Sequence, residues 1–140
     1  MIRRLRARFG DGEEGVITAF VVVISLALML FAGLVYDGGM ALRAKVDAVD
    51  EASAAARAAA QQIDLTALRS TGTVTLDAPA AESAAEQYLS GIGRTGTVSV
   101  NGDEVTVTVS FRQPTDLLNI AGIGSFPISG TSSATATEGP

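Results

Sequence analysis

Glu82 and Glu86 stand four residues apart in AESAAEQY, and two carboxylates at that spacing can exchange a proton with a substrate or share a divalent cation. Asn101, Asp103 and Glu104, in SVNGDEV, are a second group of oxygens of the hard kind that calcium takes. Neither set is complete. The glutamates fall on the polar side of a helical pattern, where charged side chains are ordinarily solvated, and the second group has too few ligands for a calcium loop but the composition of a tight turn. The chain has no His and no Cys, so the usual residues of acid–base and zinc chemistry are missing. No phosphate loop and no nucleophile beside a base can be found. The sequence therefore predicts no catalytic residue, no cofactor site and no metal site, and a protein that is not an enzyme.

These residues need elements to hold them. Asp77 and Pro79 open a helix that ends near Gly91, with Ala81, Ala84, Ala85, Tyr88 and Leu89 on its apolar side. TVSVNGDEVTVTVSFR alternates Val98, Val100, Val105, Val107, Val109 and Phe111 with polar residues, which is a hairpin. A two-residue Asn101-Gly102 turn would set Val100 opposite Asp103. A loop from Asn101 to Glu104 sets Val100 opposite Val105 and Val98 opposite Val107, and is the expected register. Upstream, RSTGTVTL reads as a short strand with Val74 and Leu76 on one face.

Pro114 ends the hairpin, and Thr115 is expected to cap a helical turn through Asn119. Gly122 and Gly124 then release a last strand, whose Phe126, Ile128, Gly130, Ser132, Ala134 and Ala136 share a face. Leu117, Leu118, Ile120 and Ile123 between them read as core, with an apolar lip for a partner or lipid as the alternative.

Between Glu14 and Asp37 lie 22 residues without a charge, GVITAFVVVISLALMLFAGLVY. As a helix they extend about 33 Å, the thickness of a bilayer core. A cleavable signal peptide has a shorter apolar region and a small-x-small exit, whereas this run leaves through LVYDGG, so a retained anchor is expected. Phe20, Leu26, Leu30 and Val35 are the candidates for packing within the span. Arg3, Arg4, Arg6 and Arg8 precede it and only Arg43 and Lys45 follow closely, which puts the N-terminus in the cytoplasm and the rest outside. Asp37, Gly38 and Gly39 form the exit, where the glycine pair either bends the helix or lets it pass straight on.

From Asp37 onward 12 carboxylates face 6 basic residues, a balance that repels nucleic acid. From Met40 to Ile63 nothing breaks a helix. Leu42, Val46, Val49, Ser53, Ala56, Ala60 and Ile63 recur at alternating intervals of four and three, a packing seam. The chain's own sheet is the expected cover for it, with another subunit as the alternative. Because Ala56 and Ala60 are small and the last strand is small on its inward face, that strand is expected to cross the helix closely there.

The basic tail, Glu14-Gly15, the apolar run, Asp37-Gly38-Gly39-Met40-Ala41-Leu42 and the continuation AAARAAAQQID together resemble the TadE/TadG-like pilus-assembly proteins over roughly residues 14 to 64. The resemblance implies a membrane-anchored, pseudopilin-like component of the tight-adherence (Flp pilus) machinery. It also implies partners among other pilin-like or pilus-assembly proteins, a possible homo- or hetero-oligomer and contact with membrane lipid. Processed pseudopilins carry a Glu five residues beyond their cleavage glycine. That place holds Phe20 counted from Gly15, and Gly15 counted from Gly10, so the likeness is nearer to the unprocessed, TadG-like members.

The expected organisation is a basic cytoplasmic tail over 1–14, a transmembrane helix over 15–36, its extracytoplasmic continuation over 37–64 and a small display domain over 65–140. The expected fold is α+β and pilin-like: one long helix on a small antiparallel sheet, with one additional helix. A membrane-tethered binding module, a sensor or adhesin subunit unrelated to pili, is the alternative function.

Overall fold

A computed structural model describes residues 11–137. The expected tail arginines, Arg3, Arg4, Arg6 and Arg8, lie outside the described residues. In chain order the elements are α1 (Asp11–Ala60), α2 (Leu65–Thr71), α3 (Ala78–Gly91), β1 (Gly96–Asn101), β2 (Glu104–Pro114), a 3-10 turn (Leu118–Ala121) and β3 (Ser125–Thr135). The fold is α+β, a long apolar-headed helix with a three-stranded antiparallel sheet in the order β1-β2-β3. α1 passes through Gly38 and Gly39 without interruption.

The chain divides into two compact units. Among the described residues, one holds the chain up to Gly38 together with Thr115–Gly124, the connection between β2 and β3; the other holds Gly39–Pro114 and the chain from Ser125. In the first unit, the most apolar window of α1 has a mean hydropathy of 2.7 and is 0% buried. A helix satisfies its own backbone hydrogen bonds, so this surface lacks only an apolar surrounding.

In the second unit the hairpin has the expected register, Val100 opposite Val105 and Val98 opposite Val107, with Gly102 at φ 67° in its turn. β2 pairs with β3 along its whole length, from Glu104 opposite Thr135 to Pro114 opposite Ser125. Val105, Val107 and Val109 are fully buried beneath Ala52, Ala55, Ala56 and Ala59 of α1 and beside Ala81, Ala85 and Leu89 of α3. Removing each Val or Leu from water contributes about 1.5–3 kcal/mol, so the sheet and α3 carry most of the hydrophobic stabilisation and the alanines set the spacing.

Several expectations are corrected. RSTGTVTL begins in α2 instead of a strand: the Asp64 carboxylate accepts the Thr66 and Ala67 N–H groups at 2.8 and 3.0 Å, and Gly72 ends the helix at φ 69°. Only Leu76 pairs, in an isolated bridge to Ile63, which therefore lies beyond the end of α1. α3 starts where expected, on Asp77, but Tyr88 is exposed. Thr115 does not cap the turn that follows. Its hydroxyl donates to the Ile123 carbonyl and its N–H to Gly124, closing the neck of the loop.

Candidate functional site

The carboxylate and hairpin groups gain nothing from the fold. Glu82, Glu86, Asn101, Asp103 and Glu104 are all exposed, and among the described residues no three His, Cys, Asp or Glu side chains gather as a metal would require. The organised polar group is elsewhere. Asp37, at the exit from the apolar run, is only 2% exposed. Its Oδ1 accepts the Asp116 N–H at 3.0 Å, and its Oδ2 accepts those of Leu117 and Leu118 at 3.0 and 2.7 Å.

This bonding meets a specific need of the loop. Leu117 stands at the N-cap of the 3-10 turn with no side chain able to cap it, and the first N–H groups of any helical turn lack partners within it. A carboxylate from α1, remote in sequence, takes the place of the missing cap. Burial pushes the Asp37 pKa up, but the N–H groups of Leu118, Asp116 and Leu117 favour the charged form and hold it below the ordinary carboxylate value.

Four residues before Asp37, on the same face of α1, Gly33 is buried. A Cβ there would stand 3.2 Å from Leu117 Cβ and 3.6 Å from Leu118 Cδ2, so the loop lies close against the helix where the side chain is missing. Leu26, Met29, Leu30, Ala32 and Gly33 line a groove with Leu117, Leu118 and Ile120. The expected core reading of this loop is corrected: Leu118 alone is buried, while Leu117, Ile120 and Ile123 are exposed, Ile120 to 79%. Phe20 and Val35, the other candidates for packing in the span, are exposed as well. Gly33 escaped the sequence reading because a single glycine in an apolar run is common; its spacing of four from Asp37 was the available signal.

The second unit treats the expected seam differently. Leu42 is 71% and Val46 59% exposed, Val49, Ser53, Ala60 and Ile63 are half-buried, and Ala56 is buried. The sheet covers Ala44, Ala48, Ala52, Ala55, Ala56 and Ala59, a stripe turned from the seam by roughly 100°, one residue step of a helix. β3 requires this, because its inward Gly130 meets the backbone at Ala48, where only small neighbours leave room. The closest approach of β3 falls at Ala48, while Ala134 and Ala136 farther along pack in the cluster that holds Ala56 and Ala60. The chain's own sheet leaves Leu42 and Val46 uncovered.

Residues 15–62, about a third of the chain, match the model of the TadE/G-like Flp pilus-assembly family. No curated protein and no solved structure matches the chain.

Proposed function

We propose that this chain, TadE/G-like over residues 15–62, is a non-enzymatic minor or assembly subunit of a tight-adherence (Flp-type) pilus or a related secretion apparatus. The family match carries the reading, since it spans the apolar run, the Asp37-Gly38-Gly39 exit and the alanine-rich continuation together. Residues 15–36 anchor the protein by exchanging water for acyl chains, a transfer that the run's exposure leaves unopposed by protein packing. Arg3, Arg4, Arg6 and Arg8 keep the leading tail in the cytoplasm, so residues 37–64 and the display domain over 65–140 lie on the extracytoplasmic side.

Leu42 and Val46 are the subunit-facing half of the seam and receive a helix from another pilin-like protein or a second copy. Phe20, Leu26, Leu30 and Val35 continue that packing among the lipid-embedded helices. Deleting the gene tests the role: loss of filaments or of surface adherence is expected, and normal pili would favour a tethered binding module instead.

A further inference from the structure

We infer that the loop Thr115–Gly124 is a second membrane element, an apolar wedge immersed among the acyl chains at the C-terminal end of the span. The inference rests on the anchoring of residues 15–36. Along a helix at 1.5 Å per residue, Gly33 lies about 4.5 Å and Leu26 about 15 Å inward from Tyr36, the last residue of the span. Leu117, Leu118 and Ile120 share a groove with residues of that depth. What surrounds Leu26, Met29 and Leu30 therefore also surrounds the loop, and around a single helix at this depth that is lipid. Leu117, Ile120 and Ile123 keep 42, 79 and 46% of their surface uncovered by protein, as apolar side chains in a hydrocarbon solvent can.

The polar groups of the loop are arranged for the same surroundings. Each free N–H group makes it costlier for irregular backbone to enter hydrocarbon, and seven in this loop are bonded. Thr115 N–H is taken by Gly124, those of Asp116, Leu117 and Leu118 by Asp37, and those of Ile120, Gly122 and Ile123 by Leu117, Asn119 and Leu118. Asp37 is the group that allows the turn to leave water. The exposed charge of the loop, Asp116, opens it beside the Thr115–Gly124 neck and marks the water boundary. Asn119 leans toward the same neck, its Oδ1 being 3.8 Å from where a Cβ on Gly124 would stand.

The chain has no cysteine, so a single one introduced at an exposed position carries a unique label. Full-length Ile120→Cys, bearing an environment-sensitive fluorophore, would be reconstituted in phosphatidylethanolamine–phosphatidylglycerol vesicles with doxyl quenchers on the acyl chains. Ile24→Cys reports the span and Glu82→Cys an exposed helix of the display domain. Blue-shifted emission from Ile120→Cys and Ile24→Cys, both losing most of their intensity to the doxyl lipid, is the expected result. A quenched Ile24→Cys beside an Ile120→Cys label that only aqueous iodide reaches would overturn the wedge and leave the anchor standing. So would Ile120→Cys labels that quench one another without feeling the doxyl lipid, because a second copy would then be the cover. Should Ile24→Cys itself escape the doxyl lipid, the anchor fails and the wedge with it. Ile123→Cys, also exposed, gives the same reading if the first variant cannot be recovered.

Discussion

Gly130 of β3 faces the Ala48–Val49 peptide of α1 so closely that a Cβ on it would stand 2.5 Å from the Val49 nitrogen and 2.6 Å from the Ala48 oxygen. Backbone offers no flexible side chain that could move aside. Gly130→Ala is therefore expected to force strand and helix apart and cost at least about 1–3 kcal/mol, the usual range for overpacking. Denaturant unfolding of the variant checks this, and an unchanged midpoint would refute the close crossing.

Ala56 is fully buried in the cluster of Val105, Val107 and Val109. Ala56→Leu adds methylene groups where no space is available, and a loss of about 1–3 kcal/mol is expected. Unchanged thermal stability would count against the packing of α1 on the sheet.

Leu42 and Val46 should behave in the opposite way. Being exposed, Leu42→Ser and Val46→Ser are expected to change the stability of the isolated protein by less than about 0.5 kcal/mol. Co-purification with partner subunits should nevertheless weaken. Retained association alongside normal stability would remove these residues from the subunit interface.

Asp37 makes the loop sensitive to acid. Its folded-state pKa lies below the ordinary value of 3.8 under the opposing influences of burial, which raises it, and three backbone N–H groups, which lower it. A depressed folded value means that the carboxylate contributes stability above the unfolded pKa and loses it as the pH falls through the folded one. Iodide quenching of a label on Ile120→Cys in vesicles should stay low near neutrality and rise only in strong acid. Asp37→Ala should raise it at every pH; an equally shielded label in that variant would show that the three bonds do not hold the loop.

Arg94 bonds to Glu51 at 3.0 Å and lies 3.8 Å from the centroid of the Phe111 ring, tying the end of α3 to α1 and β2. Both charges are partly exposed, so the ion pair is screened, and Arg94→Ala should cost only about 1 kcal/mol. A loss of several kcal/mol would indicate a role that these two contacts do not explain.

How much of this could be read from the chain follows from which contacts are local. The hairpin register was legible because it sets Val100 opposite Val105 and Val98 opposite Val107, where the shorter turn would set Val100 opposite Asp103, and α3 was legible from Asp77 and Pro79. α2 was misread because its Thr and Ser residues look like strand edges, although Asp64 and Gly72 are good helix punctuation. The seam was displaced because ranking positions by side-chain size favours Leu42 and Val46, whereas β3 selects the alanines that let Gly130 approach. Asp37 was visible as a boundary but not as a cap, since its three partners lie about 80 residues away and their need arises only when the turn forms.

Residence of residues 15–36 in a bilayer underlies both the proposed role and the apolar wedge. Alkaline carbonate extraction of membranes from cells making the full-length protein tests this directly. The protein is expected to remain in the membrane pellet and to leave it only with detergent; recovery in the carbonate supernatant would contradict the anchor.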